Sequence, residues 1–397
     1  MSRKGRNNPQ STTSGEMSKE QKIASAIQST GFNLEFSISM VLKNHGWKTI
    51  NNRYYIDESS GNEREIDIIA YKTYFDAKES FVYFTTLIIS CKKEHGRYWT
   101  FLTRSNDRND PNTPSFIFHK LTDDKRLSLM LDLNLSKIEE ELKNGGDTFG
   151  RVFNYGNRVF AFQEVDKANG TPKNQTPIYD SIITTIKALE YEKVNRNGSK
   201  KAIGCKSVFY SFYLLSILDG DLCEMFYSDD NTTSISDVSE IKYINRHIVK
   251  QKDSFYAVHF IQKDAFDSVL DDYDLLHKKA SELFPNQTAQ YYDDVFQTDR
   301  KIDLFSKEFN GDLTWNFNYT MQHQLGYESA HKVTDFKLEL KDQKLQINFN
   351  GYFDVHDSDK IERINSETNL ITYTKSLLKK YYRYSGEFVF SDDYFPF

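Results

Sequence analysis

Cysteine, proline and glycine are scarce in this 397-residue chain, at 3, 7 and 18 residues. Three cysteines (Cys91, Cys205, Cys223) are too few for a disulfide framework or a cysteine-rich zinc site, and they point to a reducing compartment. So little Gly and Pro excludes collagen-like, Pro-rich and long flexible linker segments. Long apolar runs are missing too. Those present, such as Leu87-Ile88-Ile89, are strand-sized, against the ~18–20 apolar residues of a membrane span. The first residues lack the apolar middle of a signal peptide. There is no excess of positive charge: 51 Lys+Arg against 57 Asp+Glu give a formal net charge of −6. This excludes a protein coated in basic charge but leaves room for a local basic groove, because net charge and local field differ. The expectation is a soluble cytoplasmic protein with no membrane contact.

Aromatic residues are abundant, at 15% with 30 Phe and 25 Tyr, and the length suits two or three domains. Residues 1–17 are polar and basic through Arg3, Lys4 and Arg6, which predicts a disordered tail. Helices are expected from Ser18 to Gly31 and over 33–44, the second with a stripe of Leu34, Ile38, Val41 and Leu42. Strands are expected at Trp47–Ile56, Glu65–Ala70, Phe81–Cys91 and, briefly, Tyr98–Leu102. Residues 104–175 read as a polar insertion with one helix near 132–143. A helix follows at Tyr179–Tyr191. A strand at Val208–Leu218 then turns back through an Asp219-Gly220 hairpin into Leu222–Tyr227. A strand at Tyr256–Ile261 leads to a helix capped by Asp264 and ending near Ser281. The order changes after Pro285, with a soft boundary near 285–300. Beyond it, residues 286–330 are aromatic and irregular, 336–340 and 345–349 pair as a hairpin, and a helix at 370–382 precedes a last strand at 388–390. The domains expected are thus 18–285 and a C-terminal α+β module at 286–397.

Three charges stand where the pattern wants apolar residues: Glu35 beside its helix's buried stripe, Asp67 inside Glu65–Ala70, and Lys92 at the end of LIISCK. Unpaired buried charges are costly, so their convergence would mark a site. Alternation places Glu65 with Asp67 on one strand face and Ile66 with Ile68 on the other. It likewise places Ser90 with Lys92, opposite Ile89 and Cys91. Neighbouring strands would set Asp67 beside Lys92, and a packed helix would deliver Glu35.

The runs GFNLEF, REIDIIA and LIISCKK, followed by YWTFL, resemble the PD-(D/E)XK nuclease superfamily over about residues 18–285. The resemblance implies a restriction-endonuclease-like α/β fold, a mixed sheet flanked by helices. It implies metal-dependent hydrolysis of phosphodiester bonds in DNA or RNA, with Mg²⁺ or Mn²⁺ as cofactor and prokaryotic defence as the setting. Asp67 becomes the metal carboxylate, Glu35 the helix acid that supports the metal, Lys92 the amine beside the attacked phosphate, and the Cys91 backbone carbonyl a further metal ligand. Ser90 falls where the family carries a second acid, which lowers the expected metal affinity. Partners implied are nucleic acid, chiefly DNA, with a homodimer or larger defence complex as the assembly. The C-terminal module would recognise a partner, set the oligomer or gate access.

Other readings of the same residues stand beside this one. Asp67 and Lys92 form a core ion pair with no metal, in a catalytically reduced nuclease-fold protein that binds nucleic acid or a protein partner, or in a purely structural subunit. Lys93, Arg97 and Arg104, with Lys43, Lys48 and Arg53, line a phosphate-tracking groove or a solvated charged face. His247 and His259 read as structural or surface residues. Cys91 points into the core and makes a poor nucleophile. The aromatic residues of 286–330 stack bases or pack between domains. No Walker loop, nucleophile elbow or H-E-x-x-H spacing is present.

Overall fold

The computed structural model describes residues 18–28, 30–57, 61–107, 110–112, 114, 116–143, 150–196, 205, 207–249, 251–327, 332–349 and 358–392. The expected basic tail at 1–17 lies outside them. The chain is a mixed α/β protein built on a large mixed sheet flanked by helices.

Two short helices, α1 (Lys19–Gln28) and α2 (Phe32–Asn44), precede a meander of β1 (Lys48–Ile56), β2 (Glu63–Asp76) and β3 (Phe81–Arg104). The long helix α6 (Thr176–Arg196) then leads to β7 (Ser207–Tyr227), which pairs with β3 in parallel. Strands β9 (Glu240–Val249) and β10 (Lys252–Gln262) form a hairpin, and β10 lies parallel to β7. The order across this part is β1-β2-β3-β7-β10-β9. α2 and α7 (Phe266–Gln290) cover one face, where Leu34, Ile38, Ile68, Ile89, Ile217 and Leu270 are buried together. α6 covers the other, where Ile66, Ile69, Ile88, Leu214, Ile182 and Ile186 meet. Burial on both faces explains why these strands read as continuous apolar runs.

Two expected breaks are absent. Phe81–Cys91 and Tyr98–Leu102 are one 24-residue strand, and Asp219-Gly220 is no hairpin but the middle of β7. The register gives the reason. Glu94 lies opposite Gly220 and Tyr98 opposite Asp221, so His95, Gly96 and Arg97 bulge out of β3. A Cβ on Gly220 would come within 2.2 Å of the Glu94 carbonyl oxygen. The glycine serves a close backbone approach, not a turn.

The region read as a polar insertion belongs to the fold. β5 (Arg158–Asp166) extends the sheet along the far half of β3, and β4 (His119–Thr122) pairs with β7. The single helix expected near 132–143 is two, α3 (Lys125–Leu133) and α4 (Leu135–Lys143), followed by the one-turn α5 (Gly150–Phe153), while the short β6 (Pro172–Lys173) pairs with β5. Asp124 caps α3 by accepting from the backbone N–H groups of Arg126 and Leu127. Leu127, Leu131, Ile138 and Leu142 enter the α2-side core.

At the other end of the chain, α7 runs straight through Pro285 to Gln290. The stretch read as irregular is largely helical: α8 (Asp299–Tyr319) continues into a π-helical turn at Thr320–Gln324. β11 (Phe336–Lys341) and β12 (Lys344–Phe349) form the expected hairpin, turning through Asp342 and Gln343, both with positive φ. Helices α9 (Ser358–Ser366) and α10 (Thr368–Tyr382) follow, and β13 (Phe388–Ser391) adds to β12 in parallel. Phe309, Phe317, Ile347, Leu378 and Phe390 share a cluster separate from the two of the large sheet. The module meets the large sheet at the β2–β3 turn, where buried Glu79 takes a bidentate pair from Arg383 at 2.7 and 3.1 Å.

Gly220→Ala is expected to destabilise the protein by about 2 kcal/mol or more, because backbone, not a flexible side chain, fills the space a methyl would need. Chemical denaturation measures it; a midpoint unchanged from the parent would refute the close-approach reading.

Candidate functional site

The antiparallel ladder between β2 and β3 begins at the pair Ile68–Ile89, and the ladder between β5 and β3 begins at Arg97. Among the described residues, 90–96 of β3 therefore have no strand partner on that edge, while the opposite edge stays paired with β7. Unpaired backbone groups need other partners. The Cys91 N–H finds one in the Asp67 carboxylate, Oδ2 lying 2.5 Å away. A side chain thus closes the ladder where the backbone of β2 has turned aside. The strict alternation expected for β2 fails here, since Ile66 packs on the α6 side and Ile68 on the α2 side. In a strand the N–H and C=O of one residue point to the same edge, so the Cys91 carbonyl also faces this notch.

Glu35, Asp67 and Lys92 come into mutual electrostatic range there. Burial raises the Asp67 pKa above the usual carboxylate value. The Lys92 charge and the Cys91 N–H bond pull against it, and Glu65 pushes with burial. Burial also raises Glu35, with the charges of Asp67 and Glu65 adding to it and Asn52 and Lys92 opposing. The Cys91 thiol is pushed far up by burial and by these same carboxylates, so it stays protonated and makes no nucleophile. Ser90 is fully buried on the α6 side. Its hydroxyl lies close enough to steady ionised Asp67, yet it makes no hydrogen bond of good geometry.

Two residues join the site unannounced. Glu65 adds a third carboxylate; its place two residues before Asp67 on β2 was the legible signal. Asn52, in the left-handed conformation at φ 53, lies on β1 between Asn51, opposite Ile68, and Arg53, opposite Ile66. Its side chain reaches Glu35 on α2, while Asn51 bonds Ser39 on the same helix at 2.9 Å. Nothing in the local sequence marks Asn52.

The donor set suits a hard divalent cation. Three carboxylates against one amine leave two negative charges when all are ionised. A buried hydroxyl without a bond and the outward-facing Cys91 carbonyl lie beside them.

The three basic residues expected to track phosphate are engaged within the protein. Lys93 donates to the Gln28 carbonyl at the end of α1, Arg97 pairs with fully buried Glu164, and Arg104 pairs with Asp110 at 3.3 Å. Arg53 pairs with Glu192 at 3.0 Å. Lys43 and Lys48 are exposed. His259 is a satisfied core residue: its Nε2 meets Glu240 at 2.7 Å and its Nδ1 meets the Tyr273 hydroxyl at 3.1 Å. Burial holds its pKa down to about 4, so a neutral ring donates to ionised Glu240 and accepts from Tyr273.

Among the described residues, the group whose ligand atoms lie at metal-like spacing is a different one, His45, Asp271 and Asp274. His45 Nδ1 lies 2.8 Å from Asp274 and Nε2 3.0 Å from Asp267, while Asp274 also receives Lys72 at 2.6 Å and the Trp47 indole at 2.7 Å. Both ring nitrogens face carboxylates, as in an imidazolium, so this is an ion-pair clamp holding the end of α2 to α7.

Comparison with protein families, with curated proteins and with solved structures finds no match.

Burial pulls the His45 pKa down, but the bonds and charges of Asp274 and Asp267 outweigh it, and the net shift is upward from 6.5. A histidine raised in the folded state contributes stability that is complete below 6.5 and is lost as pH rises through the folded pKa. With Asp267 and Asp271 largely exposed, solvent screening limits this to about 1 kcal/mol. The melting temperature of the parent should fall over that window relative to His45→Gln; parallel pH profiles would rule the clamp out.

Proposed function

We propose that the chain is a metal-dependent nuclease of the PD-(D/E)XK type, with a restriction-endonuclease-like core, hydrolysing phosphodiester bonds in DNA or RNA. One observation carries the reading: the helix acid Glu35, the strand acid Asp67 and the amine of Lys92 on the next strand feel one another's charge beside a gap in the sheet edge. The order of elements supports it as well. A helix precedes three antiparallel strands, α6 follows, and β7 returns parallel beside β3, where the resemblance expects the closing half of the fold.

Asp67, Glu35 and Glu65 would hold Mg²⁺ or Mn²⁺, helped by the Cys91 carbonyl. A bound divalent cation supplies a water of lowered pKa and offsets charge developing on the phosphate. Lys92 is the compact positive charge that receives a phosphate oxygen and orients the attacking water. The Cys91 N–H fixes the Oδ2 oxygen of Asp67. Ser90 brings no charge, and Glu65 replaces the acid that the family carries in its place. The catalytically reduced alternative starts from Ser90 alone and leaves Glu65 without a role. Working in prokaryotic defence, on DNA, as a homodimer or larger complex, belongs to this same proposal.

The test is incubation of the purified protein with plasmid, single-stranded DNA and RNA, with Mg²⁺ or Mn²⁺ and with EDTA. Metal-dependent cleavage should fall at least ~10²-fold in Asp67→Asn and in Lys92→Ala. Asparagine keeps an oxygen for the Cys91 N–H, so Asp67→Asn should melt near the parent temperature. Glu65→Gln should raise the metal concentration needed for half-maximal cleavage. Binding without cleavage under every metal would sink the hydrolase reading.

A further inference from the structure

A second site lies on the C-terminal module. On α8 and the π-helical turn after it, Lys307, Gly311, Trp315, Tyr319 and His323 recur every four residues, which sets them on one helical stripe. Trp315 and Tyr319 are stacked, with ring centroids 5.4 Å apart and 15° between planes, and His323 follows Tyr319 at 4.8 Å. The stack is exposed, Trp315 by 70% and Tyr319 by 46%. Large aromatic rings left this open, one upon another, are out of keeping with a packing role. They border a cleft of about 900 Å³ whose lining includes Lys307, Lys332 and Gln322. Asn318 fixes the wall of that cleft by bonding both the N–H and the C=O of Val333, at 3.0 and 2.8 Å.

Gly311 decides the shape of the open end. A tryptophan on a helix leans back over the residue four positions before it. Here that residue has no side chain, and a Cβ built on it would meet nothing within 4 Å. The stripe is therefore open over Gly311, with Lys307 one turn further along it.

We infer that this stripe binds an unpaired base of single-stranded nucleic acid, the base stacking on Trp315 above Gly311 and its phosphates meeting Lys307 and Lys332. Base–aromatic stacking tolerates any sequence, because every base has a π-face. A duplex keeps its bases paired and cannot offer that face. A neutral sugar would gain nothing from the two lysines. The site stands without the cleavage reading and extends it: the module docks at the far end of the β2–β3 hairpin, about 30 Å along β2 from Asp67, so it would hold a strand at a distance rather than gate the notch.

The test uses fluorescence, in EDTA and in the Asp67→Asn protein, so that binding is read without cleavage. Of the three tryptophans, Trp47 and Trp99 are buried, and an external ligand therefore reports on Trp315. A twelve-residue oligothymidylate or oligouridylate should quench the emission saturably, and a blunt duplex or a neutral oligosaccharide should not. Trp315→Ala, followed by anisotropy of a labelled oligonucleotide, should weaken binding about tenfold. Gly311→Leu should do the same while the melting temperature holds or rises, since it fills the slot and removes a helix glycine. Replacing Lys307 and Lys332 by alanine should flatten the salt dependence. Equal binding by the parent and Gly311→Leu would overturn the inference. So would quenching by duplex or oligosaccharide as strong as by the single strand. A mononucleotide binding as tightly as the oligonucleotide would overturn the strand reading in favour of a free nucleotide ligand.

Discussion

One hydrogen bond organises the candidate site: the Cys91 N–H held by the Asp67 carboxylate. Sheet edges leave backbone donors that must be satisfied, and β3 has such an edge between the end of its pairing with β2 and the start of its pairing with β5. Asp67 answers that need with a side chain. The carboxylate is thereby fixed at the edge of a gap instead of waving in solvent, and its charge is felt at Glu35. It does so where β2 has left the ladder, beside the notch in the β3 edge.

The long strands β3 and β7 tie the rest together. Their near halves carry β2 and β10 and their far halves carry β5 and β8 (Thr233–Asp237), so one ribbon serves two flanking sets of strands. The changeover comes at the bulge His95–Arg97, where Gly220 lets the backbones approach. Lys92 stands just before that bulge. Arg97, inside it, is drawn to Glu164 on β5 and so anchors the second set of strands rather than a ligand. The basic cluster that reads as a phosphate groove is in part the fastening of α1, β5 and the segment near Asp110 onto β3.

The C-terminal module uses the opposite end of the hairpin. Glu79 sits beside Arg383, the left-handed residue that ends α10, and their paired bonds hold the Glu79 carboxyl below the usual carboxylate range. A buried, bidentate ion pair of this kind sets orientation as well as energy. The pair places the module at the end of the β2–β3 hairpin away from Asp67.

The local pattern of residues was enough for α2, for the apolar parts of β2, β3 and β10, and for the hairpin between β11 and β12, because helix and strand periodicities and turn residues act over a few positions. It was also enough to single out Glu35, Asp67 and Lys92, since a charge inside an apolar run is conspicuous wherever the chain goes. It could not tell a turn glycine from one facing a neighbouring backbone. Gly220 answers to Glu94, far away in the chain, and only the pairing of β3 with β7 brings the two together. Nor could it deliver Asn52 or the engagement of Lys93, Arg97 and Arg104, whose partners come from other elements. Periodicity is a property of neighbours in sequence, whereas the gap in the β3 edge, the burial that lifts Asp67 and the open face over Gly311 arise only when distant segments are packed side by side.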